Sequence, residues 1–179
     1  MYDYYNPYEY YGYSPMQNAY RAYPYIKNNL MSVVNNPMGI TNNPILQLDY
    51  GPEAIVVNIN DITKQNNYFR SALWTGKHLQ VALMSINVNE YVDIEVHPDL
   101  DQFVRIEQGQ GIVTIGDKND SIHYRRIVSD DFVFIIPAGK WHNLINTGNI
   151  PIKLYYIYAP PEHPAGTVNK TKLEADAAE

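Results

Sequence analysis

The sequence predicts an all-β fold of one small barrel or sandwich, and three observations predict it. From about residue 45 onward, short runs rich in β-branched and aromatic residues recur with turn signals about every 8–12 positions. Helical signal is confined to two brief stretches, 61–64 and 171–179. The length of 179 residues fits one ordinary domain of ~100–150 residues with an appendage, and no internal repeat appears.

Taken in order, the strand candidates are 45–49, 54–58, 68–74, 78–87, 91–96, 102–107, 111–115, 121–128, 132–136, 142–146 and 152–158. Turn-forming residues separate them at 75–76, 87–90, 109–111, 116–120, 129–131, 137–139 and 147–149. Asp61-Ile62-Thr63-Lys64 reads as a single helical turn. The stretch 171–179, rich in alanine and glutamate behind an N-capping Thr171, reads as a short C-terminal helix. Ahead of the barrel, residues 1–25 hold ten of the 17 tyrosines and prolines at 7, 15 and 24, with no separable apolar face. Such a mixture predicts a disordered or loosely docked arm, continued as an Asn- and Pro-containing linker. The expected organisation is therefore an arm over 1–43, a barrel over 44–163 and a C-terminal segment over 164–179.

Composition removes several function classes. With no cysteine, the fold rests on no disulfide, and any metal ligands must be nitrogen or oxygen. A net charge of −6 and the lack of a basic stripe argue against a nucleic-acid partner. No run approaches the ~18 apolar residues of a membrane span, and the N-terminus lacks the features of a signal peptide. The expectation is a soluble cytoplasmic protein that engages no membrane.

The chemistry gathers in two stretches, Glu95-Val-His97-Pro-Asp-Leu-Asp101-Gln102 and Pro137-Ala-Gly139-Lys-Trp-His142-Asn-Leu-Ile-Asn146. Residues two apart on a strand share a face, so Glu95 and His97 project together. Gln102, Val104 and Ile106 share a face of the next strand, as do His142, Leu144 and Asn146 of a later one. If these faces point inward, Glu95, His97, Gln102 and His142 converge on one divalent ion and leave positions for water or substrate. Asp101 competes with Gln102 for the ligand role; the six residues between Gln102 and Gly109 favour the glutamine.

These two segments resemble the paired motifs of the cupin superfamily, G-x5-H-x-H-x3,4-E-x6-G and G-x5-P-x-G-x2-H-x3-N. The resemblance implies an RmlC-like jelly-roll barrel (a double-stranded β-helix) with a metal centre. The second motif fits from Pro137 through Gly139 and His142 to Asn146, with Asp131 at its leading glycine. In the first, Glu95 stands where a histidine is usual, Gln102 where the glutamate is usual, and Asn89 at the leading glycine. The aspartate at the second motif's leading glycine predicts no more than a different turn. Over about residues 45–179 the chain is similar to small bacterial cupins described as mannose-6-phosphate-isomerase-like. One Gln, one Glu and two His are also the zinc ligand types of larger phosphomannose isomerases.

For single residues the expectations are plain. Pro137 and Gly139 shape a turn, and Asn146 holds a turn or the barrel wall. Tyr91, Phe103, Tyr156 and Trp141 line the pocket or pack the core. His78, His123 and His163 are surface or strand-end residues without a tie to the site, and the run 160–166 folds back over the barrel.

Three readings follow. One is a metal-dependent isomerase acting on a sugar phosphate through zinc, manganese, iron or nickel, for which no catalytic base is named. Another is a non-catalytic cupin that binds a small-molecule ligand in a pocket walled by Val104, Ile106 and Leu144. In the third, the tyrosine-rich arm, similar to segments of spore-coat and surface-layer proteins, contacts other chains during assembly. An exposed sheet edge further predicts a homodimer.

Overall fold

A computed structural model describes residues 49–178. The tyrosine-rich arm and all but the last residue of the 45–49 candidate lie outside the described residues. The elements are helix α1 (Ile59–Gln65), strands β1 (Arg70–Thr75), β2 (Gln80–Ile86), β3 (Tyr91–Val96), β4 (Asp101–Gln108), β5 (Gly111–Lys118), β6 (Ser121–Val128), β7 (Val133–Ile136), β8 (Trp141–Asn146), β9 (Ile152–Ala159) and β10 (Val168–Asn169), and helix α2 (Lys172–Asp176). The strands form two antiparallel sheets, one of six in the order β10-β1-β2-β9-β4-β7 and one of four in the order β3-β8-β5-β6. This is the jelly-roll barrel expected.

Alternation decides what each sheet buries. Ala82, Met84 and Ile86 of β2 and Val104 and Ile106 of β4 turn inward from the large sheet. Val113 of β5 and Leu144 of β8 meet them from the small one. A slip of one residue in any pairing would send such a set to the opposite face, so burial fixes the register. On the outer face of the large sheet, α1 covers Lys153, whose buried ammonium donates to Ser85 Oγ and Asn67 Oδ1 (3.0 Å each) and to the Asn66 carbonyl. Burial pushes the Lys153 pKa down, and these three acceptors compensate its desolvation.

Four sequence expectations change. The run 54–58 is no strand, because Asn58 takes up the N-cap of α1, its side chain accepting from Asp61 N (3.3 Å). The helix is accordingly longer than the single turn expected at 61–64. A two-residue strand, β10, escapes the pattern reading because two residues have no readable period; it pairs with Arg70 and Ser71 of β1. Lastly, Asp131 at the second motif's leading glycine does not give a different turn, and Asn89 at the first behaves alike. Asn89 (φ 66°) and Asp131 (φ 69°) keep the left-handed backbone that glycine would adopt. Asn and Asp are the non-glycine residues that tolerate it best, which is why these substitutions leave the turns intact.

Helix α2 begins as expected at Thr171, whose hydroxyl accepts from Glu174 N (3.2 Å). It is tied to the edge strand β3 by Lys172, which pairs with Asp93 and Asp176 and lies 5.3 Å from the Tyr91 ring centroid. Lys172→Ala is expected to cost about 1 kcal/mol, a fall in Tm of about 3 °C, because Asp93 and Asp176 remain hydrated at the rim. Thermal melts check this, and the deficit should shrink in 1 M salt.

Candidate metal centre

The site is assembled from both sheets. In the small sheet, β3 and β8 pair with Glu95 opposite His142. His97 follows β3 directly, and its carbonyl accepts from Gly139 N (2.8 Å), so the Pro137-Ala-Gly139 turn fixes where the chain leaves the strand. Gly139 takes φ 78°, which accounts for the glycine in that turn. From the large sheet, Gln102 on β4 lies opposite Tyr158 of β9. Glu95, Gln102, His142 and Tyr158 line one cavity. Asp101, the competing candidate, instead accepts from Ala138 N (3.0 Å) outside that cavity and braces the same turn.

A bulge in β3 corrects the reading of Tyr91. Between Val92 and Glu95 the strand advances three residues while β8 advances only two, from Leu144 to His142. The extra residue reverses the alternation, so Val92 and Glu95 both reach the cavity whereas Tyr91 is 45% exposed and faces Lys172. Among the other aromatic candidates, Tyr156 lines the cavity, and Phe103 pairs with Tyr155, their ring centroids 6.3 Å apart.

The geometry around Glu95 is that of ligands facing a common point. Glu95 Oε1 lies 3.4 Å from His97 Nε2 and 3.3 Å from His142 Nε2. One donor atom from each residue falls within 4.8 Å of the others. Donor atoms each ~2.1 Å from one ion stand about 3.0–3.4 Å apart, which matches these separations. His142 Nδ1 lies 3.0 Å from the Lys140 carbonyl, which can only accept, so Nδ1 is the donor there, and in the neutral ring Nε2 presents its lone pair to the carboxylate. Two lone pairs facing each other repel unless a cation or a proton lies between them. The 3.3 Å approach is accordingly an ion-pair distance without hydrogen-bond geometry, and His142 Nε2 has no hydrogen-bond partner among the described residues. Buried Gln102 Oε1 is likewise without one. Unsatisfied buried polar atoms are rare, and these two on one cavity are atoms a metal ion would engage. Glu95, His97 and His142 therefore fit an ion, and the Gln102 oxygen lies on the cavity that Glu95 and His142 line.

Electrostatics agree. Burial alone would push the Glu95 carboxyl up, but the two imidazoles beside it, His142 and His97, outweigh it and hold the pKa at about 2. Burial would lower His97, yet Glu95, with Glu162 behind it, raises its pKa above 6.5. A carboxylate kept charged between two imidazoles is prepared for a cation.

Three neighbours escaped the sequence reading. The Tyr158 hydroxyl lies 3.4 Å from His97 Nε2. Glu162 Oε1 lies 3.6 Å from His97 Nδ1. His163, expected to be peripheral, stacks edge-on against Tyr158 at 5.7 Å, and burial, helped by the charge of Arg70, lowers its pKa to about 4. Only the return of the 160–166 run over the barrel signals them in the sequence. His123 is exposed beside Asp117, and His78 is exposed, as expected.

Residues 82–158 match the model of the cupin domain family. The chain is 52% identical to the uncharacterized protein YrkC of Bacillus subtilis (strain 168), over 98% of this chain and 99% of that one. It is 39% identical to the uncharacterized protein L612 of Acanthamoeba polyphaga mimivirus, over 65% of this chain and 72% of that protein. The crystal structure of BH2720 from Bacillus halodurans superposes with a TM-score of 0.72 at 58% identity, covering 73% of this chain and 98% of that one.

Proposed function

The chain belongs to the cupin superfamily, and from that membership we propose that it binds one divalent metal ion through Glu95, His97, Gln102 and His142 and uses the ion's open positions to hold a small oxygen-bearing ligand. The observation that carries the proposal is the placing of two imidazole Nε2 atoms within 3.4 Å of Glu95 Oε1, beside a buried glutamine oxygen that lacks a partner among the described residues. When bound, such an ion polarises a carbonyl or acidifies a bound water or hydroxyl. The chain's own residues fix its surroundings. Lys140 O orients His142, Tyr158 brings a hydroxyl to His97, and hydrocarbon side chains exclude water from the remaining wall.

The cavity favours the small-ligand reading over the sugar-phosphate isomerase. Its volume is about 30 Å³, room for about two water molecules. Met84, Val92, Val104, Leu144 and Leu154 supply much of the lining, and no lysine or arginine is among the described lining residues. A phosphate would require such cations or several backbone donors. Ile106, expected in the wall, packs in the core instead. The ligand this shape accepts carries one or two oxygen donors on a short apolar body.

Elemental mass spectrometry of purified, untagged protein tests the proposal. About one manganese, iron, nickel or zinc per chain is expected, and no uptake even after reconstitution would refute it. Acid should compete with the ion. The His97 proton must leave before Nε2 can ligate, and its pKa is raised above 6.5. Ion affinity is therefore level above that raised value and falls by up to about tenfold per pH unit below it. Titrations with zinc at several pH values check this; an affinity flat between pH 5 and 8 would contradict it.

A further inference from the structure

We infer that Glu162 is a positioning residue of the metal centre, its carboxylate holding the His97 ring through Nδ1 so that Nε2 faces the ion. The inference rests on the metal reading above. The two histidines present the same nitrogen to Glu95 and differ in what holds the other. His142 Nδ1 is held by the carbonyl of Lys140, two residues back on its own chain segment, at 3.0 Å. His97 Nδ1 has Glu162 Oε1 at 3.6 Å, an ion-pair separation just longer than a hydrogen bond, delivered by the segment that follows β9. A ligating imidazole commonly gives its second N–H to a carboxylate or carbonyl, which sets the tautomer and makes the other nitrogen a better donor to metal.

That segment is built to hold still. The backbone of His163, next to Glu162, exchanges two hydrogen bonds with the fully buried side chain of Gln80: His163 N donates to Oε1 (3.2 Å), and Gln80 Nε2 donates to the His163 carbonyl (3.0 Å). Further on, Gly166 N donates to Asp49 Oδ2 (2.8 Å). The His163 ring closes against Tyr158, which itself touches His97. The glutamate is thus carried by a backbone clasped just after it at His163 and held before it at Ala159, where β9 still pairs with Asp101 of β4. Its side chain is 37% exposed, so water competes for it and its effect falls at the low end of the 10–100-fold range seen for such outer partners.

The test is a double-mutant cycle read by zinc affinity, measured by competition with a chromophoric chelator at one pH and salt concentration. The proteins are wild type, Glu162→Gln, His97→Ala and the double variant, with metal-free melting curves recorded for each. Expected is a loss of about tenfold for Glu162→Gln in the wild-type background and none in the His97→Ala background, with metal-free Tm unchanged by the glutamine. A loss equal in both backgrounds would show a charge acting on the whole site, and unchanged affinity would show no role; either overturns the inference. These are distinct from failure of the metal reading, in which wild type itself takes up no zinc and the inference falls with it.

Discussion

His142→Ala is expected to leave the protein without stoichiometric metal, lowering ion affinity by about 100-fold or more. His142 is the more enclosed of the two imidazoles, and its Nε2 is a buried ligand atom with no hydrogen-bond partner among the described residues. Its removal deletes a ligand and also one of the two groups that keep Glu95 charged. Loading itself is a source of stability: at a free ion concentration 100 times Kd, an ion that binds only the folded chain adds about 2.7 kcal/mol. Wild type should therefore melt several degrees higher with added zinc, whereas His142→Ala, and His142→Ala combined with His97→Ala, should not respond. Gln102→Ala removes a neutral amide and should cost less, about tenfold. Elemental analysis with paired melting curves reads all of these, and a His142→Ala protein that keeps one ion per chain would move the centre elsewhere.

Asn146→Ala is expected to destabilise the barrel by about 3 kcal/mol without touching the ion. The side chain is 3% exposed, and its Nδ2 donates to the carbonyls of Ile86 (3.0 Å), Asn87 (3.1 Å) and Ile150 (2.9 Å) while Oδ1 accepts from Gly148 N (2.9 Å). One amide joins the end of β2, the turn after it and the turn that closes β8. Alanine would strand several of these groups at about 1–3 kcal/mol each, reduced where water can reach the turns. Asn146→Asp keeps the acceptor but turns a buried carboxylate oxygen toward three carbonyls, and so should cost at least as much as the alanine. Urea unfolding gives the numbers, and a loss below about 1 kcal/mol for the alanine would mean that water replaces the amide at the turns.

Most of the barrel was legible because its strands alternate between a hydrocarbon interior and a polar exterior, and the eye can follow a period of two. Glu95 with His97, and His142 with Leu144 and Asn146, were readable for the same reason. Tyr91 was misread because alternation is a local rule: a single bulged residue between Val92 and Glu95 reverses it without leaving a compositional mark. The run 54–58 looked like a strand on side-chain type alone, whereas the capping geometry of Asn58 against Asp61 decided otherwise. Tyr158, Glu162 and His163 could not be assigned to the site from spacing, since their place depends on where the chain returns after β9. The aspartate at the second motif's glycine position was expected to alter its turn; backbone tolerance of a left-handed angle, invisible in a pattern of letters, kept it.

The strand order of the large sheet carries a consequence for biosynthesis. β9 lies in its middle, paired on one side with β2 and on the other with β4. While residues 80–108 emerge from a ribosome, β2 and β4 have no neighbour to share, and each presents an open hydrogen-bonding edge beside apolar side chains. At ~5–20 residues per second the wait for residues 152–159 lasts several seconds. Through that interval β2, beside β1, and β4, later beside β7, each keep one open edge that could join a strand of another chain. The sheet closes late and almost at once, when a single strand arrives and satisfies both edges.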